Sequence, residues 1–176
     1  MVLDSKQNFA TKISFGLITQ PYKNKTMVIE IDFLRYKGSL KTQKNKTGKI
    51  EVYDIVRKKY VILQPEELVR QLVIHYLIAE KKAPLSKMRV EKGLTVNELM
   101  KRCDILIYDK NIQPYFLVEC KSANVRIDQT TFDQIARYNL PLQVPYLLVT
   151  NGLSTYCCHI NEDKTGWQFL TDIPQF

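Results

Sequence analysis

The chain has 176 residues, 45% of them hydrophobic and 25% charged. That length supports one domain with a real core, and that balance fits a globular protein rather than a disordered one. No apolar run reaches the roughly 18 residues that a membrane-spanning helix needs, which excludes a helical membrane protein.

The first residues, "MVLDSKQNFATKIS", contain no apolar signal-peptide core, so a cytoplasmic protein is expected. Cys103, Cys120, Cys157 and Cys158 show no C-x-x-C spacing and read as reduced, buried thiols. A zinc site at Cys157, Cys158 and His159 would need three consecutive strand residues to converge on one ion, which alternating side chains oppose.

The net charge of +8 is unevenly spread. Residues 1–62 carry 13 basic and 5 acidic side chains, whereas residues 63–176 carry 13 of each. The whole excess therefore lies in the first third, densest in "RYKGSLKTQKNKTGK" and at Arg57, Lys58 and Lys59. Lys41, Lys44, Lys46 and Lys49 on a mobile loop, with Arg57, Lys58 and Lys59, suit sequence-tolerant contact with phosphates. A solvated, lysine-protected hairpin would have the same composition.

In chain order, "MVIEIDFLRY" (27–36) predicts a strand, followed by short β-prone pieces within 50–62. Together they read as a small antiparallel β-unit. "QPEELVRQLVIHYLIAEKK" changes period. Pro65 with Glu66 and Glu67 marks a helix start, and Leu68, Leu72 and Tyr76 form an apolar stripe over about 65–82. Short β-prone stretches follow at 87–92 and 94–99. "RCDILIYD" (102–109) and "YFLVECK" (115–121) then predict a hairpin around the turn ending at Pro114. "IDQTTFDQIARYNL" predicts a second helix, and "PYLLVTNG", "STYCCHI" and "GWQFL" predict three more strands. The order predicts an α/β fold with a mixed central sheet flanked by helices and an N-terminal antiparallel β-unit.

The hairpin gathers charge. Asp104 begins one strand and Glu119 ends the next, so antiparallel pairing brings them together, and Lys121 shares the face of Glu119. Two carboxylates and the backbone carbonyl of Cys120 suit Mg²⁺, a hard ion that keeps several waters. A nearby lysine can orient water and stabilise phosphate charge. A structural ion pair at the sheet rim would use the same three residues.

The segment from "PEELVRQLVIHYLIAE" to "VTNGLSTYCCHI" resembles the PD-(D/E)xK nucleases, and more narrowly the N-terminal nuclease domain of the type I restriction enzyme R subunit. The matching residues are Glu67, Asp104, Glu119 and Lys121, with Gln134 and Tyr138 as the Q-x-x-x-Y of that branch. Cys103 stands where the family name has proline, and the adjacent Glu66 is an alternative to Glu67. The resemblance implies a restriction-endonuclease-like core at 63–176, with residues 1–62 as a basic extension packed on it. It implies Mg²⁺-dependent DNA cleavage, with Mn²⁺ as a substitute. Asp104, Glu119 and the Cys120 carbonyl would hold the metal, and Glu67 would act through a metal-bound water. Lys121 would orient the attacking water, and Gln134 and Tyr138 would position the lysine or a phosphate. No GxxxxGK[ST] run occurs, so the resemblance implies either a standalone nuclease-like protein or a module awaiting a partner: other restriction-system subunits, a motor protein or a second copy of the chain. The alternative is a non-catalytic nucleic-acid-binding or interaction module on the same fold.

Overall fold

The computed structural model describes residues 28–96, 99–139, 144–162 and 166–176. The first part of the basic segment, residues 1–27, lies outside them.

A three-stranded antiparallel sheet comes first: β1 (Thr42–Lys44), β2 (Ile50–Asp54) and β3 (Lys59–Ile62), in that order. The lysine-rich stretch expected as a loop is a strand and a closed turn. Asn45 Oδ1 accepts hydrogen bonds from the backbone of Thr47 and Lys49, both at 3.0 Å. Gly48 sits at φ 79, a left-handed conformation glycine adopts without a Cβ clash.

The strand expected over 27–36 is replaced by other structure. Ile29 makes one isolated bridge to Thr155, and Phe33–Ser39 is a 3-10 helix capped by Asp32. Phe33 and Tyr36 stand three residues apart, the repeat of a 3-10 turn. Both rings pack edge-on against Tyr76, at 5.2 and 6.0 Å between centroids. Strand alternation would have sent those two rings to opposite faces.

The first helix, α1 (Pro65–Ala79), starts at the proline as expected but stops short of residue 82. Lys82 turns into the left-handed region at φ 59, and the Ala83 N–H returns to the Leu77 carbonyl at 3.0 Å. The helix buries Val69, Leu72, Val73, Tyr76 and Leu77.

The main sheet runs β4 (Met88–Val96), β5 (Leu99–Tyr108), β6 (Pro114–Cys120), β7 (Tyr146–Thr150), β8 (Thr155–Ile160) and β9 (Trp167–Phe169), with spatial neighbours in sequence order. β6 and β7 are parallel and joined through α2 (Gln129–Asn139); the other described pairs are antiparallel. The sheet is therefore mixed, as the sequence predicts. One face, with Ile105, Ile107, Phe116, Val118 and Leu148, packs on α1. The other, with Leu106, Leu117, Leu147, Val149 and Cys158, packs on Phe132, Ile135 and Ala136 of α2. All four cysteines are buried and none is in a disulfide. Among the described residues no helix is long and apolar enough to cross a membrane.

Candidate active site

The hairpin register sets the site. Ile105 pairs with Val118, which makes Asp104 and Glu119 the next positions outward. Asp104 Oδ2 accepts the Cys120 N–H at 2.7 Å, fixing the carboxylate across the strand pair. Lys121 continues beyond β6, its N–H donating to the Thr150 carbonyl at 2.8 Å, and its Nζ donates to Glu119 Oε1 at 2.7 Å. Glu119 and Lys121 alternate with Leu117 and so belong to the α2 face, at the end where parallel β6 and β7 both finish.

Burial, reinforced by the negative charge of Asp104, pushes the Glu119 carboxyl above its ordinary range despite the Lys121 hydrogen bond. Burial also works against the Lys121 ammonium, but the hydrogen bond and charge of Glu119 outweigh it and raise the amine. The charge of Glu66 is felt by both groups.

Behind this edge lies a network of arginines and carboxylates that sequence reasoning missed. Arg70, 4% exposed, donates from Nη2 to Asp104 Oδ1 at 2.6 Å and from Nη1 to Glu67 Oε2. Burial opposes its charge, yet Asp104 and Glu67 more than offset this and hold the guanidinium firmly protonated. Glu67 is 8% exposed, and its other oxygen accepts Arg57 Nη2 and Gln71 Nε2, each at 2.9 Å. Arg57 also grips Asp54 Oδ2 at 2.6 Å and pairs with Glu91. Glu91 pairs in turn with Arg102 and adopts φ 51 in the middle of β4.

The two candidate helix acids therefore differ. Glu67 is saturated by three donors, whereas Glu66 has a side chain 46% exposed and stands 3.5 Å from Arg70 Nη2. Arg57, expected on the phosphate-contacting surface, is held inside the network by Asp54, Glu67 and Glu91. Lys41, Lys44, Lys46, Lys49, Lys58 and Lys59 are exposed. Gln134 is exposed on α2; the side chain of Tyr138 lies outside the described residues. One signal for Arg70 was available: a lone arginine in an apolar helix stripe, with acids three and four residues before it. Glu91 had none, because its partners come from β2–β3, α1 and β5.

Residues 65–174 match the family model described as "Type I restriction enzyme R protein N terminus (HSDR_N)". The chain belongs to this family. Among solved structures, this family member is similar to "The fragment structure of a putative HsdR subunit of a type I restriction enzyme from Vibrio vulnificus YJ016". The identity is 18% over 64% of this chain and 24% of that one, with a TM-score of 0.47. No curated protein matches the sequence.

The network makes Arg70 a structural keystone of this family member. Arg70→Ala strips the guanidinium from two buried carboxylates and should cost about 3–5 kcal/mol of unfolding free energy in urea titrations. Adding Asp104→Asn should recover part of that loss, since the two residues are directly bonded.

Glu119 sets a pH dependence. With its carboxyl raised in the folded state, the native protein binds a proton that the unfolded chain has already released. Metal-free stability should therefore fall as pH rises from about 4.3, the ordinary glutamate value, through the raised one. Glu119→Gln should flatten that fall, measured as unfolding free energy against pH; parallel curves for variant and wild type would refute it.

Proposed function

We propose that this R-protein N-terminal domain hydrolyses phosphodiester bonds in DNA with the help of Mg²⁺, as a restriction-type endonuclease or its nuclease module. The observation that carries the reading is Glu119 and Lys121, hydrogen-bonded at 2.7 Å, on the strand end beside Asp104.

The donor set fits a hard divalent ion. Among the described residues no group of three or more His, Cys, Asp or Glu side chains gathers as a metal cage. Mg²⁺ rarely uses such a cage; it binds through one or two carboxylates and keeps waters for substrate oxygens to replace. Asp104, Glu119 and the Cys120 carbonyl supply that number of hard oxygens, and the raised Glu119 carboxyl marks a place where added positive charge is favourable. When bound, the ion would polarise the scissile phosphate and acidify a water.

The chain's own residues do the rest. Lys121, held protonated, donates to the attacking water and to phosphate oxygens, and does not accept their protons. Glu66, the helix acid with an accessible carboxylate, takes the water-ordering role that the resemblance gives to Glu67. Glu67 instead holds Arg70, which fixes Asp104. Gln134 and Tyr138 position phosphate or lysine from α2. The lysines of β1 and of the β1–β2 and β2–β3 turns hold DNA near an edge whose carboxylates would otherwise repel it. The domain's partners in this reading are DNA and other restriction-system subunits.

A second reading has its own observation. Both oxygens of Asp104 already carry hydrogen bonds, to Arg70 and the Cys120 N–H, as in a purely structural ion pair of a non-catalytic module.

A plasmid-nicking assay separates the two. With Mg²⁺ or Mn²⁺ the wild type should cut, and Lys121→Ala should lose at least about 10²-fold in rate. Intact plasmid under every metal condition would leave the structural reading.

The basic surface gives a separate test by DNA-binding titration in metal-free buffer. Changing Lys41, Lys44, Lys46 and Lys49 to glutamine should flatten the log–log salt dependence by up to about 0.9 per lost phosphate contact. An unchanged slope would move the phosphate surface elsewhere.

A further inference from the structure

The small sheet has two unlike faces. Val52 and Asp54 of β2 are fully buried and point inward, toward α1, where Gln71 Nε2 reaches Asp54 Oδ2 at 2.9 Å. The register puts the alternate residues on the outward face. Gln43 pairs with Glu51, and Glu51 with Ile62; Tyr53 pairs with Tyr60. The Tyr53 N–H donates to the Lys41 carbonyl at 2.8 Å, which places Lys41, Tyr53 and Tyr60 in one row across three strands. The two tyrosine rings meet at 5.3 Å between centroids. Neither ring joins the core on either side of the main sheet, and Tyr60 is 40% exposed with Ile62 at 38%. The acid on this face, Glu51, is engaged by the amides of Gln43 and Asn45 at 3.0 and 3.2 Å.

A tyrosine pair on a sheet face, Tyr60 exposed and Tyr53 half-buried, with exposed Lys41 beside it and exposed Lys46, Lys49 and Lys58 in or next to the flanking turns, offers what an unpaired nucleic-acid strand requires: π-faces for its bases and cations for its phosphates. A duplex cannot use the rings, because its bases are already stacked on one another. The charge is complementary, since residues 28–62 carry 9 basic and 4 acidic side chains. The location also fits. Lys58 follows Arg57 in the β2–β3 turn and Lys59 opens β3, and Arg57 is tied through Glu67 and Arg70 to Asp104.

We propose that the outward face of this sheet, centred on Tyr53 and Tyr60 with Lys41 beside them, binds single-stranded nucleic acid by base stacking and leads it toward the Asp104–Glu119–Lys121 edge. The last clause rests on the nuclease reading; the binding does not.

The test is fluorescence anisotropy with labelled oligothymidine and with a duplex of equal length, in EDTA so that cleavage plays no part. The wild type should bind the single strand more tightly. Tyr60→Ala should weaken oligothymidine binding about 5- to 150-fold, the range for one lost stacking partner, and change duplex binding far less. Tyr60→Trp should retain binding and add an indole to the single native tryptophan, Trp167, and that new emission should be quenched by oligothymidine. Thermal melts should show both variants folded, as expected for a partly exposed ring. No binding of oligothymidine by the wild type, equal loss on both ligands, or unchanged affinity in a folded Tyr60→Ala protein would each overturn the proposal. So would a change of oligomeric mass in Tyr60→Ala, which would make the face a contact between copies. Plasmid nicking is scored separately. Selective loss of single-strand binding without any wild-type nicking would keep the stacking site and remove the nuclease; nicking with unchanged Tyr60→Ala binding would do the reverse.

Discussion

One buried guanidinium holds the molecule together where its parts meet. Arg70 is on α1, Asp104 on β5, and Glu67 one helical turn before Arg70. A charge this deep would be expelled unless matched, and an isolated arginine cannot escape by losing its proton. The fold answers by supplying carboxylates from separate elements. Helix and main sheet can then satisfy Arg70 only in one relative arrangement. Among the described residues its Nε finds no partner, so the match is close but incomplete. Replacing such a network with apolar side chains is often neutral or stabilising in other proteins, so its presence at the strand edge speaks for precise placement of Asp104 rather than for stability alone.

The same network explains how a small, strongly basic sheet stays docked on the rest of the chain. Arg57 leaves the surface and joins Asp54, Glu67 and Glu91, while Lys58 and Lys59 beside it remain in solvent. Two kinds of positive charge thus arise from one short turn. Arginine, with a planar fork of donors, is used for fixed multi-partner contacts, and lysine, a compact hydrated charge, is left outside. The sharp φ of Glu91 belongs to this arrangement. It lies between the pairs Val90–Ile105 and Lys92–Cys103, where the strand turns its carboxylate toward three arginines.

What could be read from the sequence follows from the range of the forces involved. Local periodicity located α1, α2 and the strands β6 to β9, because alternation and helical stripes are properties of adjacent residues, whereas the pieces expected at 87–92 and 94–99 are one strand, β4, and the start of a longer β5. The β5–β6 hairpin was legible together with the closeness of Asp104 and Glu119, since a short turn fixes register and register fixes neighbours. The stretch from 27 to 36 was misread because Ile29, Ile31 and Phe33 imitate alternation, while the deciding contact, two rings three residues apart on Tyr76, is tertiary. Arg57 looked like one more surface cation until Glu67 and Glu91, distant in sequence, were folded beside it. The choice between Glu66 and Glu67 also lay beyond reach, because it depends on which side of α1 faces Arg57 and Gln71.

The four cysteines have a practical consequence. Each is buried and none is in a disulfide, and burial pushes the thiols of Cys120, Cys157 and Cys158 upward, that of Cys157 to about 12. An ordinary thiol near pKa 8.5 is about 3% thiolate at pH 7, whereas one at 12 is ionised in about one molecule in 10⁵. Alkylating reagents attack the thiolate, so the native protein should be almost silent toward maleimide chemistry. A single cysteine introduced on an exposed turn would then carry a spin label or dye against a dark background, with no native thiol to remove first.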